Sequence, residues 1–192
     1  VNRSRGRWKL LAVLAVCAAP LVASYFTYYV IKPAARTNYG TLIDPAAHPI
    51  PPMATRTLGG DPVTLESMAG KWIMLKVGGS DCGQACQDQL FAMRQLRTMQ
   101  GKERERIERV WLITDDRPLE TVLLRVEDGT RMLRAPADKV AQWLPVEPGS
   151  RAEDHIWLID PRGHLMMRFP RHPDPSQVKK DLGKLLKASS IG

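Results

Sequence analysis

No Ser/His/Asp set, no glycine-rich phosphate loop and no carboxylate pair spaced for acid–base work stands out in this chain, so hydrolytic and nucleotide-dependent mechanisms have no starting point. No internal repeat is visible, which excludes a solenoid or a repeat array. Acidic residues are missing from the first 36 positions, where Arg3, Arg5, Arg7, Lys9, Lys32 and Arg36 stand. The remaining 156 residues hold 22 basic and 20 acidic side chains, so most of the net charge of +8 belongs to the N-terminal segment. A nucleic-acid partner does not follow from a charge so distributed, and lipid headgroups account for it better. Cysteine is also scarce. There are three, Cys17, Cys82 and Cys86.

What is present begins with Leu10 to Ile31, 22 residues without a charge. As a helix this run reaches roughly 33 Å, enough to cross a hydrocarbon core. Tyr25, Phe26, Tyr28 and Tyr29 gather at its far end, where an interfacial belt would lie. Four basic residues precede the span and two follow it, which predicts a cytoplasmic tail over 1–9, a transmembrane anchor over 10–31 and an exported remainder. A cleaved signal peptide is the alternative; its small-residue site, near Ala19 to Ser24, would fall inside the apolar run. Cys17 follows Val16, too large for a lipoprotein signal, and reads as a small apolar residue of the span. With no presequence ahead of the span, the expected home is the bacterial inner membrane, with the C-terminal domain in the periplasm.

Residues 32–56 contain Pro33, Pro45, Pro49, Pro51, Pro52 and Gly40 without periodicity, and are expected to form an extended linker. Residues 57–192 suffice for one domain with a real core. Val63 and Leu65 alternate as a short strand would. Trp72 to Val77, Val110 to Thr114 and Ile156 to Ile159 read as buried strands. Gly101 to Glu108 is charged enough to be a solvated helix end or loop. Leu119, Val122, Leu123 and Val126 share one helical face, a helix stopped by Asp128-Gly129; Thr130 to Leu133 reads as a short strand; and Val140, Trp143 and Leu144 share another face after Pro136. Asp160-Pro161-Arg162-Gly163 turns the third buried strand back into Leu165 to Phe169, and Asp174-Pro175 caps a last helix bearing Val178, Leu182, Leu185 and Leu186. This order predicts an α/β chain with a thioredoxin-like fold: a central mixed sheet flanked by helices.

Cys82 and Cys86 fall where the first buried strand hands over to a helix carrying Leu90, Met93 and Leu96. If Cys86 lies in the first turn, the spacing puts both sulfurs on one face, and the helix N-terminus favours thiolate. Such a pair can be oxidised to a disulfide or can chelate a soft metal. A purely structural disulfide would close a very short loop and contribute little stability. The usual thioredoxin-type enzyme has two residues between its cysteines and this chain has three; a peroxide-reducing cysteine would want Thr or Ser where Gly79 stands. Two thiolates and one imidazole would satisfy Cu(I), and His155 heads the third buried strand. His164 and His172 are expected to be exposed, His48 lies in the linker, and Met166-Met167 are expected to serve packing.

Cys82 and Cys86 after a strand, then Asp154-His155, an apolar strand and Asp160-Pro161-Arg162-Gly163, resemble the Sco/SenC family of membrane-anchored copper chaperones for cytochrome c oxidase assembly. The resemblance covers about residues 57–188. It implies a metallochaperone rather than an enzyme, with copper, as Cu(I) or Cu(II), held by Cys82, Cys86 and His155 and with Asp154 orienting the site. An oxidase subunit or another copper carrier would be the partner. The chain departs from the pattern at Gly83 and Gln87, where members have proline, and Asp115-Asp116-Arg117-Pro118 shortens their acidic loop. Two other readings stay open: a periplasmic thiol–disulfide reductase with Cys82 and Cys86 as its redox-active pair, and a non-catalytic thioredoxin-fold assembly factor.

Overall fold

The computed structural model describes residues 3–31, 38–127, 129–189 and 191. The first residues of the basic tail, the linker positions 32–37 and Asp128 of the expected helix stop lie outside the described residues. The chain divides into two units, residues 1–37 and 38–192. In the first, helix α1 (Arg3–Phe26) runs on into a π-helical turn over Thr27–Ile31. Arg7–Tyr29 is 23 residues long and apolar enough to cross a membrane. Tyr25 and Tyr29 stack at its end with ring centroids 4.4 Å apart.

The second unit comprises β1 (Thr41–Leu42), β2 (Thr55–Thr57), β3 (Pro62–Val63), β4 (Trp72–Gly78), α2 (Gln84–Thr98), β5 (Ile107–Ile113), α3 (Thr121–Val126), β6 (Arg131–Arg134), α4 (Ala137–Trp143), β7 (Ile156–Ile159), β8 (Leu165–Arg168) and α5 (Pro175–Ala188). The strands form one mixed sheet in the order β1-β8-β7-β4-β5-β6-β2-β3. Strands β4, β5 and β6 are parallel, and β7 pairs antiparallel with β4, opposite Ile73 to Lys76. Strand β4 is buried along its whole length, as a central strand covered on both faces must be. Ile73, Leu75 and Val77 join Val110, Leu112, Trp157 and Ile159 on one face. Trp72 and Met74 point to the other, against Met93 and Leu96 of α2 and Val178, Leu182 and Leu186 of α5. The alternation therefore sends Lys76, the next residue of that set, to the α2 and α5 face.

The hairpin turn forms as the sequence indicates: Gly163, at φ +85°, donates to the Asp160 carbonyl at 3.0 Å. Asp174 caps α5 by accepting from the Ser176 amide at 2.8 Å. Three stretches differ from expectation. The proline-rich segment does not stay apart from the domain: Thr41–Leu42 pairs with β8, and β2 pairs with both β3 and β6. The strand expected through Val63 and Leu65 ends at Val63, because Leu65 and Met68 turn inward in a 3-10 helix. Strand β5 begins at Ile107, inside the charged run, because Glu108 is neutralised across the strands by Lys71 at 2.9 Å and Arg131 at 3.4 Å.

Candidate dithiol site

The chain leaves β4 at Gly78 and enters α2 through Gly79 to Gly83. Gly79 is required by close approach: a Cβ there would lie 2.7 Å from Asp115 Oδ2 and 2.9 Å from Asp81 Oδ1. Asp115 accepts from the Ser80 amide at 3.0 Å, and Arg117 bridges Asp115 at 3.1 Å and Asp81 at 3.2 Å. The acidic loop after β5 thereby clips the cysteine loop in place. Burial pushes the Asp115 carboxyl up, but hydrogen bonds from Ser80 and Arg117 outweigh it and hold the pKa at about 2. A depressed carboxylate contributes stability that is fully present above about pH 4 and is lost as the pH falls toward 2. Asp115→Asn should therefore remove part of the acid limb of a urea-midpoint-versus-pH curve; parallel curves would refute the clip.

Gly83 is the N-cap of α2, so Gln84, Ala85 and Cys86 make up its first turn. Cys82 and Cys86 are joined as a disulfide with Cα atoms 5.2 Å apart. Cys82 is buried, in a small cluster with Leu90, Trp111, Ile113 and Leu123, while Cys86 is half-buried at its edge. The two residues that replace proline are both used. The Gly83 amide donates to the Asp81 carbonyl at 2.8 Å and the Gln87 amide to the Gly83 carbonyl at 3.1 Å, bonds that proline cannot make. The Gln87 side chain also donates to the Cys82 carbonyl at 2.9 Å. Cys86 in the first turn lies at the positive end of the helix dipole, which favours negative charge there.

The pair opens onto a groove of about 930 Å³, bounded by the end of β4, the first turns of α2, Arg151 to Asp154 and Arg171 to Asp174. Two of its residues were not singled out from sequence. Lys76 is 2% exposed although it carries a charge, and its ammonium donates to the Glu153 carbonyl. Burial lowers its pKa to about 8, against the raising influence of Glu153 and Asp154. Its signal was a lysine inside W-I-M-L-K-V. Gln89 donates to the Asp154 carbonyl at 2.9 Å and so ties α2 to the segment before β7.

His155 does not line this groove. It is 8% exposed, with Nδ1 at 2.8 Å from the Phe169 carbonyl and Nε2 at 2.6 Å from Ser150 Oγ. A carbonyl only accepts, so Nδ1 carries the proton and Nε2 accepts from the serine hydroxyl. That tautomer suits a metal ligand, whose second nitrogen usually donates to a carbonyl, but Ser150 occupies the lone pair a metal would take. Asp154 bonds the Arg151 amide at 3.1 Å and lies 3.5 Å from Arg171, with no bond to His155 among the described residues. Among the described residues no three His, Cys, Asp or Glu side chains gather as they would around a metal ion. The two sulfurs and the imidazole are thus not an assembled three-donor set in this arrangement. His172 is exposed on the groove rim, His164 is half-buried beside Asp160 at 3.5 Å, and Met167 is fully buried in the core.

A strand-to-helix dithiol on a mixed sheet, in a chain with an N-terminal span, defines a membrane-anchored protein with a thioredoxin-like domain. The chain belongs to the family described as transmembrane-like, thioredoxin-like, C-terminal domain, whose profile matches residues 72–189. Residues 1–30 match the accompanying transmembrane-like N-terminal domain, consistent with a single-pass anchor. No curated protein matches by sequence. Among solved structures the domain is similar to yeast Sco1 (TM-score 0.58, 18% identity, 74% of this chain and 99% of that one). It is also similar to Bradyrhizobium japonicum ScoI with copper bound (0.52, 20%, 69% and 97%) and to apo Sco1 from Thermus thermophilus (0.57, 18%, 81% and 98%). At these identities the likeness shows a shared fold, the one that the Sco/SenC resemblance implied.

Proposed function

We propose that this protein is an assembly factor of the Sco kind that exchanges disulfides through Cys82 and Cys86, acting on the cysteines of a copper-site protein. Its anchor holds the domain on the periplasmic side of the bacterial inner membrane. The partner is a cytochrome c oxidase subunit or another copper carrier, whose cysteines must be reduced before they can bind metal. The observation that carries this reading is the position of the disulfide, at the start of α2 and opening onto the groove. A sulfur reached from the groove can, as a thiolate, attack a partner disulfide, and the helix N-terminus favours that thiolate. The test is exchange between the reduced full chain in detergent micelles and an oxidised peptide holding one cysteine pair. The expected result is transfer of the disulfide to this protein at a rate that His155→Ala leaves unchanged. No transfer, or transfer that fails with His155→Ala, contradicts it.

A second reading is copper carriage, favoured by the His155 tautomer and by the likeness to a copper-bound structure. In it the reduced pair supplies two thiolates and His155 Nε2 a third donor once Ser150 lets go. Copper would then be cargo. Ser150→Ala should tighten Cu(I) binding measured against a competing chelator, and His155→Ala should weaken it. If neither variant changes the affinity, any copper bound rests on the sulfurs alone.

A further inference from the structure

Lys76 poses a problem that the oxidised domain does not solve. It sits in the central strand opposite Ile156, is 2% exposed, and points to the face where α2 and α5 pack. The carboxylates nearest to it are directed elsewhere: Glu153 pairs with Arg151 at 3.3 Å, and Asp154 with Arg171 at 3.5 Å and Arg151 at 3.9 Å. What the ammonium receives is a neutral carbonyl, that of Glu153. A buried charge is costly unless an opposite charge meets it. Lys76 and both cysteines line the same groove, and the cysteines become a source of negative charge only when their bond is broken.

We propose that Lys76 is the countercharge for the reduced Cys82–Cys86 pair, placed in the strand to favour the dithiol over the disulfide and so to set the pair's reduction potential. The inference rests on the exchange reading above. In the step concerned, a dithiol reductant gives two electrons to the Cys82–Cys86 bond. That bond breaks and an S–S bond forms on the reductant. One cysteine keeps a proton, the other remains a thiolate in the field of the Lys76 ammonium, and the second proton goes to solvent. In the oxidised state the ammonium has, among the described residues, the Glu153 carbonyl and the field of Glu153 and Asp154, opposed by Arg151, and burial lowers its pKa to about 8. Lys76 is a positioning residue, acting through its charge on the sulfurs.

The experiment is a redox equilibrium of the full chain in detergent micelles against a dithiothreitol buffer at pH 7, with Cys17→Ala throughout so that one pair is counted. An opposite charge near a thiol shifts its pKa by about one unit or more. Lys76→Met, of similar length and uncharged, should therefore move the equilibrium about tenfold toward the disulfide, or about 30 mV more negative. Its reduced pair should also react several-fold more slowly with iodoacetamide. Lys76→Arg should stay close to the parent. Should a variant fail to fold, the wild-type chain still decides: the Lys76 side chain, followed by NMR, should hold its proton to higher pH in the reduced than in the oxidised protein. Equal equilibria in folded Lys76→Met and parent, or the same Lys76 titration in both redox states, overturn the proposal while leaving exchange intact. A parent chain that does not exchange at all removes the underlying reading.

Discussion

Cys82→Ser and Cys86→Ser are both expected to abolish net disulfide exchange, a loss on the order of a hundredfold or more, because each removes one half of a unit that acts only as a pair. The two variants should nevertheless leave different products. Cys86 is half-buried in the first turn of α2, whereas Cys82 is packed with Leu90, Trp111, Ile113 and Leu123. In Cys82→Ser, made like its counterpart on a Cys17→Ala background, the remaining thiol is the more accessible one; it attacks a substrate disulfide and is then trapped as a mixed disulfide with no second cysteine to resolve it. In Cys86→Ser the remaining thiol is the more buried of the two, and adduct should form more slowly. Intact-protein mass after challenge with an oxidised cysteine-pair peptide reads both. Equal adduct in the two variants, or more in Cys86→Ser, would mean that the attacking sulfur has been assigned the wrong way round.

The second large effect concerns stability. Asp181, on α5, is 2% exposed, and its Oδ2 accepts from the amides of Tyr39 at 2.7 Å and Gly40 at 2.9 Å. This is how the segment that enters the domain is fastened to it, just ahead of edge strand β1. Gly40 is fitted closely there: a Cβ would fall 2.5 Å from Met167 Sδ and 2.9 Å from Phe169 Cε1. Asp181→Ala strips two amides of a charged acceptor. Hydrogen bonds to charged groups contribute about 1.5–3 kcal/mol each, and orphaned donors add to the cost, so a loss of about 3–4 kcal/mol is expected. That is a large part of the roughly 5–15 kcal/mol available to a domain. Asp181→Asn keeps one oxygen for both amides and should lose about 1 kcal/mol. Urea unfolding distinguishes them, and equal destabilisation by the two substitutions would contradict the account.

The elements built on local signals could be read from the chain. Uniform apolar runs gave β4 and β7, the Asp-Pro-x-Gly turn gave the β7–β8 hairpin, and Asp174-Pro175 gave the start of α5. The edges could not be read, because strands of two or three residues such as Thr41–Leu42 or Pro62–Val63 carry no period and exist only through their partners. Nor does local patterning reveal a bond between Tyr39 and Asp181, 142 positions apart. At the site, the cysteine pair was legible because its chemistry is local. The surroundings of His155 were not, since Ser150 and the Phe169 carbonyl reach it from two different segments. Lys76 lay in plain view inside an apolar strand, but its meaning depends on Arg151 and Arg171 having already taken the nearby carboxylates.

The central claim is that Cys82–Cys86 is a working redox couple and not a fixed crosslink. A five-residue loop makes that reasonable, since closing it stabilises the fold by only about 2 kcal/mol on the chain-entropy model. The most direct measurement equilibrates the full chain, with Cys17→Ala so that one pair is counted, in a graded thiol–disulfide buffer and counts free thiols in folded protein, with circular dichroism followed in parallel. The account predicts a reversible two-electron transition while the dichroism stays native. A pair that stays oxidised until the domain unfolds would contradict it.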